Sequence, residues 1–151
     1  MYYHTAIKRL KKLSKLMGIE VEIFSGPEDK TRYSSRGYWT PFKKKIRISG
    51  INEGTVLSLA HELGHVLLEM GKTEEVIRER LSYYRDNDWD FVAQKKVVDI
   101  ERAAWKKAFA LLRTVGCKYP RIPFGTEAAA CLRVYSHPVY LTFSISNESC
   151  K

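Results

Sequence analysis

The spacing of apolar residues along the chain changes period several times, and the order of those changes predicts its elements. From Thr5 to Met17, Ala6, Ile7, Leu10, Leu13 and Leu16 share one helical face, with Lys and Arg between them, and Gly18 follows where a helix would stop. Ile19 to Phe24 then alternates as a strand does, and Ser25-Gly26-Pro27-Glu28-Asp29 reads as a turn. Tyr33 to Trp39 and Lys43 to Ile48 predict two more strands, joined around Thr40-Pro41. In the second of these, Ile46 and Ile48 point to one face while Lys45 and Arg47 point to the other.

The period returns to helical over roughly Glu53 to Met70, closed by Gly71. Val56, Leu57, Leu59, Ala60, Leu63, Val66, Leu67 and Leu68 surround this segment on nearly every side, as expected of a helix buried at the centre of a fold. A weaker helix is expected from Glu74 to Tyr84. A polar loop over Arg85 to Asp90 follows, with Asp90 as cap, and then a long helix from about Phe91 to Val115, stopped by Gly116. Tyr119 to Gly125 reads as a loop, Thr126 caps a helix to about Tyr135, and Tyr140 to Ile145 fits neither pattern. The expected fold class is α+β, over one domain spanning residues 1–151: a small three-stranded sheet, an N-terminal helix, a buried central helix and a second long helix. A chain of 151 residues with 44% hydrophobic content can bury one core of this kind.

Charge changes the picture only locally. Residues 1–50 hold 12 basic and 4 acidic side chains, residues 51–100 hold 6 and 10, and residues 101–151 hold 8 and 3. The basic flanks suit an acidic partner or nucleic acid; the plainer reading is a solvated surface, which is what Lys8, Arg9, Lys11, Lys12 and Lys15 form on most core helices. No apolar stretch has the length of a membrane span, and no signal-peptide core is expected at the N-terminus. Cys117, Cys131 and Cys150 are odd in number and unpatterned, which points to reduced thiols in a cytoplasm.

The central helix carries the chemistry. His61-Glu62-Leu63-Gly64-His65 reads H-E-x-x-H, and residues four apart share a helical face, so both imidazoles can bind one metal ion while Glu62 reaches a water beside it. A catalytic zinc takes three protein ligands. Glu101 is the expected third, because Val97, Val98, Ala104, Trp105 and Ala108 place it on the apolar stripe of its helix, where an unpaired carboxylate is costly. The alternative for Glu101 is a buried salt bridge with an arginine. Asp99 is the rival ligand, but Lys95, Arg102 and Lys106 mark its face as solvated. Gly64 suits close approach of the helix to a neighbouring strand. His137, Tyr83, Tyr84 and Tyr135 are candidates by type for stabilising an oxyanion.

His61-Glu62-Leu63-Gly64-His65 followed by Glu101-Arg102-Ala103-Ala104-Trp105 resembles the compact gluzincins of the ImmA/IrrE-type zinc metallopeptidase group, over roughly residues 1–115. The chain departs from that group in showing no helix-turn-helix unit. The resemblance implies a minimal zincin-like fold, Zn2+ held by His61, His65 and Glu101, Glu62 as general base, and hydrolysis of a peptide bond in a protein substrate. It also implies extended substrate bound along a sheet edge, for which Lys43 to Ser49 is the expected strand, and it suits a phage or mobile-element origin. The competing expectation is a basic nucleic-acid- or protein-binding module whose zinc is structural or silent; the lack of cysteine near the motif argues against a closed structural site.

Overall fold

The computed structural model describes residues 3–24, 37–49, 53–86 and 90–117, together with residues 125, 128, 129 and 132. The described chain is α+β: four helices and a three-stranded sheet. Helix α1 spans Tyr3–Leu16 and strand β1 Glu20–Phe24; β2 spans Gly37–Thr40 and β3 Lys45–Ser49. Helices α2 (Glu53–Glu69), α3 (Glu74–Asp86) and α4 (Phe91–Thr114) follow. The expected strand from Tyr33 begins outside the described residues, and so do Thr126, Tyr135 and the 140–145 segment. Gly18, Gly71 and Gly116 all have positive φ, the left-handed turn that ends a helix most cheaply at glycine.

Strand order is β1-β3-β2, with β1 parallel to β3 and β2 antiparallel to it. This corrects one expectation: Lys43 to Ser49 is not an edge strand. Its ordered part, β3, is the central strand, and Lys43 belongs to the 3₁₀ turn Pro41–Lys43 that joins it to β2. Alternation specified the faces of β3 but carries no information about its neighbours. Lys44, in the left-handed region at φ 49°, completes that turn.

The register puts Val21 beside Ile46 and Ile23 beside Ile48 on one face, and Glu20 and Glu22 beside Lys45 and Arg47 on the other. Lys45 and Arg47 pair with Glu22 at 2.9 and 3.4 Å, so the outer face is laced by opposite charges. The inner face is apolar. Helix α2 packs between β2 and β3 on one side and α4 on the other, with α1 beside it. Leu10 of α1, Ile46 and Ile48 of β3, Leu59 and Leu63 of α2 and Leu112 of α4 are fully buried in one shared core. Arg9 fastens α1 to the end of α4 by donating to the Val115 carbonyl at 2.7 Å.

Candidate metal centre

The site forms where α2 and α4 touch backbone to backbone. A Cβ built at Gly64 would lie 2.2 Å from the Ala104 carbonyl oxygen and 3.0 Å from its carbon, so only glycine fits there. The expected close approach is therefore real, but the neighbour is helix α4 and not a strand. Gly64 stands between His61 and His65, and Ala104 lies one turn after Glu101. The same contact thus brings the Glu101 carboxylate under both imidazoles.

Glu101 is only 2% exposed, and His61 and Glu62 are buried as well. His61 Nε2 lies 2.9 Å from Glu101 Oε2, His65 Nε2 lies 3.1 Å from Glu101 Oε1, and the two Nε2 atoms are 3.2 Å apart. Donor atoms about 2.0–2.2 Å from a tetrahedral ion are about 3.3–3.6 Å from one another, so the three groups stand a few tenths of an ångström closer than a shared ion would hold them. Glu101 Oε2 is buried and makes no well-aligned hydrogen bond despite the nearby nitrogen. A buried carboxylate oxygen left so is costly, and a cation between the three donors removes that cost. Among the described residues, His61, His65 and Glu101 form a group able to hold a metal ion, and no cysteine joins it. Two imidazoles and a carboxylate suit a divalent transition metal or zinc.

Electrostatics agree with the geometry. Burial pushes the His65 imidazolium down, but Glu101 beside it outweighs that and raises its pKa to about 9. Burial pushes Glu101 up, yet His65 and His61 hold it well below the ordinary carboxylate value. Without metal the site is thus an ion pair with a proton where a cation would sit. Glu62 behaves differently. Burial raises it above the ordinary 4.5, partly opposed by His61 and His65 and reinforced by Glu101 and Glu69.

Three further side chains complete the surroundings. Tyr84 of α3 donates its hydroxyl to Glu101 Oε1 at 2.5 Å, and the Trp105 ring packs on His61 with centroids 4.3 Å apart. Trp39 of β2 donates to Glu69 Oε2 at 2.7 Å, fastening an edge strand to α2 one turn beyond His65. Sequence had named Tyr84 for an oxyanion; here its hydroxyl is turned to Glu101. The signal for that was present: Ile77, Arg80 and Tyr84 recur at helical spacing along α3, and all are half-buried. Tyr83 lies off that stripe and bonds Glu79 at 2.5 Å. His137 and Tyr135 lie outside the described residues, as do Cys131 and Cys150; Cys117 is buried in the core. Asp99 is exposed and lies 3.5 Å from Arg102, so it takes no part in the cluster. Asp90 caps α4 as expected, accepting from the amides of Val92 and Ala93.

Comparison with known proteins gives no match: no family model, no curated protein and no solved structure.

Proposed function

We propose that this protein is a zinc-dependent metallopeptidase of the compact gluzincin kind, acting on a protein or peptide in the cytoplasm. The observation that supports it most is the convergence of His61, His65 and Glu101 on one point at the α2–α4 crossing, with the carboxylate of Glu62 buried beside them. The three would hold zinc. When bound, zinc supplies Lewis acidity, polarising a carbonyl and making water nucleophilic near neutral pH. Glu62 takes the water proton and passes it to the leaving amine, a transfer for which a carboxyl pushed above its ordinary value by burial is well matched. Tyr84 holds Glu101 in place, and Trp105 limits rotation of the His61 ring.

Substrate would add as a strand to the sheet edge next to the site. That edge is β2, which pairs only with β3 among the described residues and is tied to α2 through Trp39 and Glu69. The test joins metal analysis to a peptidase assay. Purified protein should carry close to one zinc per chain, lost in His61→Ala and in His65→Ala. Glu62→Gln should keep the zinc and lose peptide cleavage by orders of magnitude. Zinc retained in both histidine variants, or undiminished cleavage by the glutamine variant, overturns the reading.

A further inference from the structure

Several cations elsewhere in the described chain stand beside carboxylates. Lys45 and Arg47 pair with Glu22, Arg78 with Glu74 at 2.6 Å, and Arg102 with Asp99. Helix α1 carries no such pair among the described residues. Its sequence contains no acidic residue, and Lys8, Lys11, Lys12 and Lys15 are all exposed, with no carboxylate partner among the described residues. These four lie three, four or seven residues apart, so they form one stripe along the helix. Neighbours of like charge at that spacing repel each other and weaken the helix. Helix α3, by contrast, mixes its signs with Glu74, Arg78 and Glu79. A groove runs beside the stripe, lined by the same lysines and, where the chain enters β1, by Ile19 and Glu20.

We propose that the lysine stripe of α1 is a binding surface for the phosphate backbone of nucleic acid, separate from the metal centre. From Lys8 to Lys15 the helix rises about 10.5 Å, which passes about three phosphates of each strand at about 3.4 Å per charge. Lysine ammonium groups are point charges that hold phosphate without reading bases, so binding is independent of sequence. A membrane fits less well. Ala6, Ile7 and Leu10 of α1 are buried in the core, and Leu16, expected on the same face but 78% exposed at the helix end, is too little apolar surface to enter lipid.

The test is fluorescence anisotropy of a labelled DNA duplex of about 20 bp, titrated with the full chain at several salt concentrations. Four phosphate contacts predict a log–log salt slope of about −3.5, so affinity falls about a hundredfold between about 50 and about 200 mM. Each single Lys→Gln change at positions 8, 11, 12 or 15 should reduce the slope by about 1. The fourfold variant should lose binding while keeping its circular dichroism spectrum and metal content, because all four side chains lie on the surface. Unaltered binding by that variant, or no binding at about 50 mM salt, overturns the proposal. So does competition by poly-glutamate as strong as by unlabelled duplex, or tighter association with phosphatidylserine vesicles than with DNA. None of these outcomes depends on whether the chain cleaves peptides.

Discussion

Helices α1 and α4 each bury a polar side chain within an apolar stripe, and they satisfy it in opposite ways. On α1 the residue is Ser14, fully buried, whose hydroxyl donates to the Leu10 carbonyl one turn back at 2.7 Å. On α4 it is Glu101, and its partners among the described residues all come from other elements: His61 and His65 of α2 and Tyr84 of α3. The serine needs nothing beyond its own helix. An ionised carboxylate in the same setting costs several kcal/mol unless charge and hydrogen bonds are brought to it. The fold brings them, using three elements and a glycine to do so. A buried polar residue therefore points to a site when its satisfaction is long-range, and to little when it is local.

Removing Glu101 should break that contrast most severely. Glu101→Ala takes away one of the three proposed metal donors and should weaken zinc binding by orders of magnitude, whereas Asp99→Ala should leave it close to wild type; isothermal titration of both variants measures this. In metal-free protein the same change should alter the pH dependence of stability. His65 has a folded pKa raised from 6.5 to about 9, so its contribution is fully present below about pH 6.5 and is lost as pH rises through about 9. Glu101 is depressed, so its contribution is present above its ordinary 4.5 and is lost as pH falls. Chelator-treated wild type should thus be more stable in urea at pH 7 than at pH 9.5, and Glu101→Ala should show little such difference. Parallel profiles for the two proteins would show that the ion pair contributes nothing.

Glu101 was legible in sequence because Val97, Val98, Ala104, Trp105 and Ala108 define its stripe without reference to anything distant. Asp90 as cap, and the three glycine stops, were legible for the same reason. Beyond that range the pattern fell silent. Ile46 and Ile48 showed which face of β3 is buried, but pairing with β1 across residues 25–36 decides that β3 is central, and no local period encodes it. Gly64 announced a close approach, but the expected partner was a strand and the actual one is helix α4. Trp39 donating to Glu69 joins residues thirty positions apart, so neither residue's own surroundings reveal it.

The second effect sharpens how the long-range arrangement is built. Gly64→Ala adds about 1 kcal/mol of helix propensity, yet its Cβ meets the Ala104 carbonyl at 2.2 Å. Neither backbone can yield without parting α2 from α4, and overpacking of this kind costs about 1–3 kcal/mol. Net destabilisation with weaker metal binding is expected, because Glu101 retreats together with Ala104. A thermal melt that rises on substitution would mean the crossing is looser than the structure shows.

A smaller effect is expected at Tyr84. Tyr84→Phe keeps the ring and removes only the hydroxyl that bonds Glu101 Oε1. Groups that orient a metal ligand in this way are worth about 10–100-fold in affinity. Zinc affinity should fall within that range while the fold stays intact, measured by competition with a chelator of known strength. A change below about threefold would assign Glu101 its orientation from the α2–α4 contact alone.

Ser14→Ala is the control on which the comparison rests, and it should have the smallest effect. The substitution removes a hydrogen bond worth about 1 kcal/mol, but it also removes the donor, leaving only the Leu10 carbonyl, which keeps its place in the helix ladder. Alanine gains some tenths of a kcal/mol in helix propensity over serine. The two terms nearly cancel, so urea midpoints of the variant and wild type should agree within about 0.5 kcal/mol. Metal affinity should not move at all, since nothing in the site touches α1 among the contacts of Glu101, His61 and His65. A loss of several kcal/mol at Ser14 would mean that local satisfaction is not what distinguishes the two helices, and the contrast with Glu101 would have to rest on charge alone.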